Sequence, residues 1–121
     1  MHEKKYAAFS GRLLIVGFGS IGQGVMPLLL RHLEIQPAQI RIVAADEGGR
    51  AVAEACGIDF RVLPLTPENY RAELNERLSS GDMLLNLAVN VSSLVLIEWC
   101  QAHGVLYLDT CIEPWAGGYT D

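Results

Sequence analysis

Short apolar runs alternate with amphipathic stretches along this 121-residue chain. Residues 12–16, 40–44, 60–63, 83–88 and 105–108 are rich in Val, Ile and Leu with almost no polar alternation, the pattern of parallel strands covered on both faces. Within residues 67–79, Tyr70, Leu74 and Leu78 repeat at four with charges between them, which predicts an amphipathic helix. Thr66 is in position to cap it, Pro67 suits its first turn and Gly81 follows its end. Ser92 or Ser93 caps a further helix through Leu94, Ile97, Glu98 and Gln101, and Gly104 stands just past its last turn, where positive φ is needed.

Two places depart from the pattern. Pro27 falls inside the helix expected after the first strand, so a kink or local widening is expected there. Residues 49–56 allow only about two helical turns, short for a crossover. The order β-α-β-α-β-α-β-α-β predicts an α/β fold: a doubly wound parallel sheet with right-handed crossovers. One domain is expected over residues 12–121, behind a mobile arm of residues 1–11.

Composition narrows the function classes. Half of the residues are hydrophobic and 19% are charged, which excludes a disordered segment. Nine basic against fourteen acidic side chains leave a net charge of −5, so a phosphate backbone is repelled and nucleic acid is not an expected partner. Cys56, Cys100 and Cys111 are odd in number, with no C-x-x-C spacing, so neither a disulfide framework nor a metal site is expected. No histidine stands near Cys111 in sequence to activate it as a nucleophile. The apolar run 13–17 behind Lys4 and Lys5 is too short for a leader or a membrane span. A soluble, cytoplasmic protein without membrane contact is the expectation.

The strongest chemical signal is Gly17-Phe18-Gly19-Ser20-Ile21-Gly22, directly after the first strand and opening a helix. In that setting Gly17 permits the tight turn, Gly19 lets a diphosphate approach the backbone, and Gly22 lets helix and strand pack closely. The N–H groups that open the helix then face the anion. Asp46 closes the second strand 24 residues beyond Gly22, close to the ~20 expected for the acid that binds an adenosine ribose. A carboxylate there repels a 2′-phosphate and favours NAD over NADP, and Arg50 nearby is a cation that softens the preference. The competing reading is a plain tight turn with a solvated acid. Together these features predict a Rossmann-like sheet, truncated after about five strands.

Two further segments lie at the carboxyl edge, where open α/β sheets bind ligands. Asn86 and Ala88 end the fourth strand beside the cofactor, and Asn90, Ser92 and Ser93 either face its nicotinamide half or simply cap the next helix. After the fifth strand, Glu113 and Trp115 stand two residues apart, a carboxylate and an indole face that suit a cationic substrate. Core packing is the competing role for Trp115.

The glycine run 14–24, the segment 86–93 and the segment 109–119 with its Glu113-Pro114-Trp115 resemble the N-terminal part of bacterial homospermidine synthases, relatives of saccharopine dehydrogenase. The resemblance covers the chain after its N-terminal arm. It implies tightly bound NAD acting as a hydride shuttle, with putrescine and spermidine as substrates and homospermidine and ammonia as products. It assigns Gly17, Gly19, Ser20, Ile21 and Gly22 to the diphosphate turn, Asp46 to the ribose, and Asn90 and Glu113 to a buried amine site bordered by Trp115. Glu113 is thereby the electrostatic partner of the diamine. An acidic residue is the family's usual occupant at the position of Asn90, so one carboxylate contact is weaker here. Family members are several times longer, with a second domain and a homodimer interface, so this chain is expected to be a fragment inactive by itself. A saccharopine dehydrogenase-like oxidoreductase and a stand-alone NAD-sensing module remain the alternatives.

Overall fold

The inner strands form where the apolar runs predict them because they are buried on both sides, whereas the outer strands at Asp59–Val62 and Leu106–Asp109 are partly exposed, with Leu106 and Leu108 58% and 55% accessible. In the computed structural model, which describes residues 7–19, 22–24, 26, 28, 31, 33–88, 91–109 and 115, Leu13, Leu14, Ile15 and Val16 of one strand are all at most 3% exposed. That strand, β2 (Leu13–Val16), is central to a five-stranded sheet with β4 (Ile40–Ala44), β5 (Asp59–Val62), β6 (Met83–Asn86) and β7 (Leu106–Asp109). The order is β5-β4-β2-β6-β7, and every neighbouring pair is parallel. The chain therefore winds outward from β2 in both directions, as a doubly wound fold requires.

Alternate residues of each strand feed two cores. Leu13, Ile15, Ile40, Ile42 and Ala44 pack on one face with Phe18, Met26 and Ala53 of helix α1 (Arg50–Ala55). Leu14, Val16, Val43 and Leu84 pack on the other. There they meet Tyr70 and Leu74 of α2 (Tyr70–Arg77) and Leu96, Trp99 and Cys100 of α3 (Ser93–His103). Residues 22–24, 26, 28 and 31 are helical and lie in the crossover from β2. Pro27, where a kink was expected, lies outside the described residues.

Local signals set the helix ends. Ser92 caps α3, its hydroxyl accepting from the Val95 N–H at 3.4 Å, and Gly104 closes it in the left-handed region at φ 70°. Thr66 does not cap α2 directly. It forms a reciprocal turn with Asn69: Thr66 N–H donates to Asn69 Oδ1 at 2.8 Å and Asn69 N–H donates to Thr66 Oγ1 at 3.1 Å. Pro67 therefore lies in the turn ahead of the helix, and α2 starts later than its apolar spacing suggests.

The expected mobile arm of residues 1–11 needs correction over its second half. Ala7–Ala8 (β1) pair in parallel with Leu33–Glu34 (β3) as a separate two-stranded ribbon. Gln39 Nε2 also donates to the carbonyls of Phe9 and Gly11, both at 2.8 Å. One amide side chain thus ties the entry to β2 against the turn that precedes β4, a contact between residues 28 and 30 positions apart that sequence spacing does not reveal.

Candidate functional site

Parallel register brings the carboxyl ends of the strands to one edge. Val16 is aligned with Val43 and Asn86, Ala44 with Val62, and Asn86 with Asp109. Above this edge, between the diverging crossovers from β2 and β6, opens a cleft of about 650 Å³. Gly17, Phe18 and Gly19 form one wall, Ala45, Asp46 and Gly48 a second, Leu63, Pro64 and Leu65 a third, and Leu87, Ala88 and Val91 the fourth. This is the switch point at which doubly wound sheets bind ligands.

The glycine turn is built by close approach. Gly17 has φ +87°, and a Cβ there would lie 2.6 Å from the Ala88 Cα and 2.7 Å from its nitrogen. Both conformation and space thus demand glycine. Its N–H is committed to the sheet, donating to the Val43 carbonyl at 2.8 Å. Gly17 therefore serves by shape, its own N–H being committed to the sheet. A Cβ on Gly19 would meet nothing within 4 Å, so this stretch of backbone is open to the cleft. Gly22 packs inward, where a Cβ would come within 2.9 Å of the Phe18 ring and 3.1 Å of Leu87. Ser20 and Ile21 lie outside the described residues.

Asp46 lines the cleft at the end of β4. Its Oδ1 accepts from the Gly48 N–H at 2.9 Å, an Asx turn that fixes the carboxylate relative to the start of α1. Asp46 is the one charged side chain among the described residues lining the cleft.

Asn86 has a different position from the one its place in the sequence suggests. It is 2% exposed and does not line the cleft. Its Oδ1 accepts from the Ala88 N–H at 3.1 Å, while its Nδ2 donates to the Tyr107 hydroxyl at 3.0 Å. Tyr107 in turn donates to Asp109 Oδ2 at 2.8 Å. Burial, with the Asp109 carboxylate beside it, pushes the Tyr107 phenol up to about 12, outweighing the hydrogen bond from Asn86. Asn86 thus supports the cleft through Ala88, whose backbone meets Gly17.

Of the residues expected near a substrate, Asn90 and Glu113 lie outside the described residues. Trp115 is half-buried beside the second core, its ring centroid 5.8 Å from that of Tyr70, and it does not line the cleft. Cys100, 1% exposed, is pushed up to about 11 by burial, the state of an inert structural thiol. Cys111 lies outside the described residues.

Sequence reasoning missed several walls. Gln23 lines the cleft, with its Nε2 donating to the Phe18 carbonyl at 3.2 Å and its N–H to the Gly19 carbonyl at 3.0 Å. Leu63, Pro64 and Leu65 were signalled only by their place directly after the third core strand, at the edge where such sheets bind.

A parallel sheet in this order, with a glycine turn after its central strand and an acid after the next, is a Rossmann-like dinucleotide-binding domain. Residues 13–119 match the saccharopine dehydrogenase NADP binding domain. The chain belongs to that family. It is 37% identical over 119 residues to a homospermidine synthase of Blastochloris viridis and 34% identical over 119 residues to one of Mesorhizobium japonicum. Each alignment covers 96% of this chain, but 25% and 24% of the respective relatives. The crystal structure of the homospermidine synthase of Legionella pneumophila in complex with NAD matches with a TM-score of 0.89 at 36% identity. That match covers 95% of this chain and 25% of the other. The chain therefore spans about a quarter of the length of the relatives it matches.

Proposed function

We propose that this chain holds NAD in the cleft above β2 and β4 and forms the dinucleotide-binding part of a homospermidine synthase. The reading is carried by the open backbone of Gly19 beside Asp46 at the switch point, in a chain that shares its fold and 36% of its residues with a synthase solved with NAD. The amides after Gly17 receive the diphosphate. Asp46 accepts the ribose hydroxyls, and Leu63 and Leu65 offer the adenine an apolar wall.

Bound there, the cofactor supplies a hydride acceptor that returns its hydride within the same cycle. The net reaction joins two putrescines into homospermidine with release of ammonia, or transfers the aminobutyl group of spermidine to putrescine with release of 1,3-diaminopropane. A diamine site must keep one nitrogen charged while the reacting nitrogen is neutral enough for its neighbouring carbon to lose hydride. Glu113 is our assignment for the charged end, with Asn90 bordering the site. The remaining length found in the relatives supplies further catalytic groups and the homodimer interface.

The test is to incubate the full protein carrying this sequence with putrescine and substoichiometric NAD. Homospermidine in excess of the NAD added, with no net NADH, supports the reading. NADH accumulating in proportion to amine consumed supports a saccharopine dehydrogenase-like oxidoreductase in its place. NAD binding with no amine chemistry leaves a nucleotide-sensing module.

A further inference from the structure

The cation nearest to Asp46 in sequence is turned elsewhere. Arg50, the first residue of α1, forks onto Glu47: its Nε donates to Oε2 and its Nη2 to Oε1 at 3.1 Å. Its Nη1 donates to the Phe60 carbonyl at 3.4 Å and lies 3.9 Å from Glu54 Oε2. The guanidinium carbon lies 4.9 Å from the centroid of the Phe60 ring. Every nitrogen of the fork is thus engaged along the flank of α1 and β5, and Arg50 is not among the residues lining the cleft.

We propose that Glu47 is a specificity-determining residue, which by pinning Arg50 away from the cleft rim leaves the described residues of the ribose pocket without a cation and favours NAD over NADP. The proposal rests on the dinucleotide reading above and deepens it. A 2′-phosphate carries about −1.5 to −2 charges at neutral pH, by analogy with other phosphomonoesters, and is held where a planar guanidinium can meet it bidentately. Here it would meet the Asp46 carboxylate and, among the described residues of the cleft, no lysine or arginine. Arg50 is close enough in sequence to supply that cation, being four residues beyond Asp46 on the first turn of α1. Its pairing with Glu47 takes up Nε and Nη2, one of the two guanidinium edges able to hold a phosphate bidentately, while Nη1 of the other edge donates to the Phe60 carbonyl. The pair is exposed, with side-chain accessibilities of 38% for Arg50 and 66% for Glu47, so Glu47→Ala disturbs no core and frees Nε and Nη2, while Nη1 keeps its contact with the Phe60 carbonyl.

Calorimetric titration of the full protein with NAD and with NADP tests this in four forms: wild type, Glu47→Ala, Arg50→Ala and the double variant. Glu47→Ala is expected to raise the ratio of NADP to NAD affinity about tenfold, the worth of one charge-assisted contact. In the Arg50→Ala background the same substitution is expected to leave that ratio unchanged. An equal gain in both backgrounds overturns the proposal, because removal of a negative charge alone then explains it. An unchanged ratio in Glu47→Ala overturns it too. Wild type that binds neither dinucleotide refutes the underlying reading instead, so the two failures are distinguishable.

Discussion

The backbone of Ala88 passes so close to Gly17 that a methyl group on Gly17 would lie 2.6 Å from the Ala88 Cα. Two crossovers that leave the sheet in opposite directions meet at this contact, and it sets the width of the cleft between them. Asn86 holds Ala88 from below by accepting its N–H. Anything that separates the pair deforms the glycine turn.

Gly17→Ala combines a strained positive φ with a backbone collision that no rotamer relieves. It is expected to cost about 1–3 kcal/mol of stability and to weaken NAD binding at least tenfold. Gly24→Ala, where a Cβ meets nothing within 4 Å, is the matched control and should change neither by much. Chemical denaturation and calorimetry measure the two effects. Tolerance of alanine at Gly17 would refute the close-approach account.

Tyr107→Phe removes the acceptor for the buried Asn86 Nδ2 and the donor to Asp109. An unpaired buried amide is expected to cost about 1–3 kcal/mol at pH 8. The phenol also imposes a pH dependence, because it ionises near 10 when unfolded but at about 12 in the fold. Between these values the unfolded state loses its proton first. The stability associated with a neutral Tyr107 is therefore complete below pH 10 and falls as the pH rises toward 12. The gap between wild type and Tyr107→Phe should thus narrow between urea melts at pH 8 and pH 11; a constant gap would contradict the burial argument.

Asp82 titrates with the opposite sign. At the amino end of β6 it accepts from the Arg12 N–H and the Ser79 N–H, each at 2.8 Å, and from Arg12 Nε at 3.2 Å. Burial alone would raise its carboxyl, but those N–H groups and the Arg12 guanidinium together hold it below the ordinary value. Its stabilising effect is present above the unfolded value of about 3.9 and is lost as pH falls through the lower folded value. Asp82→Asn should lower stability by about 1–3 kcal/mol at pH 7 and lose less on acidification than wild type. Parallel acid limbs in the two proteins would rule out Asp82 as a source of the acid dependence.

Much of the fold was legible because its determinants are local or strictly periodic. The runs at 12–16, 40–44, 60–63, 83–88 and 105–108 coincide, within one or two residues, with the core strands. For the inner strands, burial on both faces leaves an apolar signature that needs no knowledge of the neighbours. The outer runs keep the apolar pattern although Val62, Leu106 and Leu108 are exposed, because only one flank of each outer strand is paired. The tight turn at Gly17 and the Ser92 to Gly104 helix were readable for the same reason: each is specified by backbone geometry within a few residues of itself.

What escaped the sequence depends on which strand lies beside which. Asn86 follows an apolar run at a ligand-binding edge, yet its side chain is taken by Tyr107 because parallel register sets β7 beside β6. Arg50 stands four residues beyond Asp46 in sequence, yet it turns onto Phe60 because β5 closes that side of the sheet. For Trp115 the sequence left an amine site and core packing both open, and its ring meets Tyr70 of a helix far back in the chain. Sequence by itself determined the sheet, the tight turn at Gly17 and the ends of α3, since these follow from periodicity and allowed dihedral angles. Only the tertiary structure decided which polar side chains face the cleft and which are spent holding it, because a side chain's free directions are those its spatial neighbours leave open.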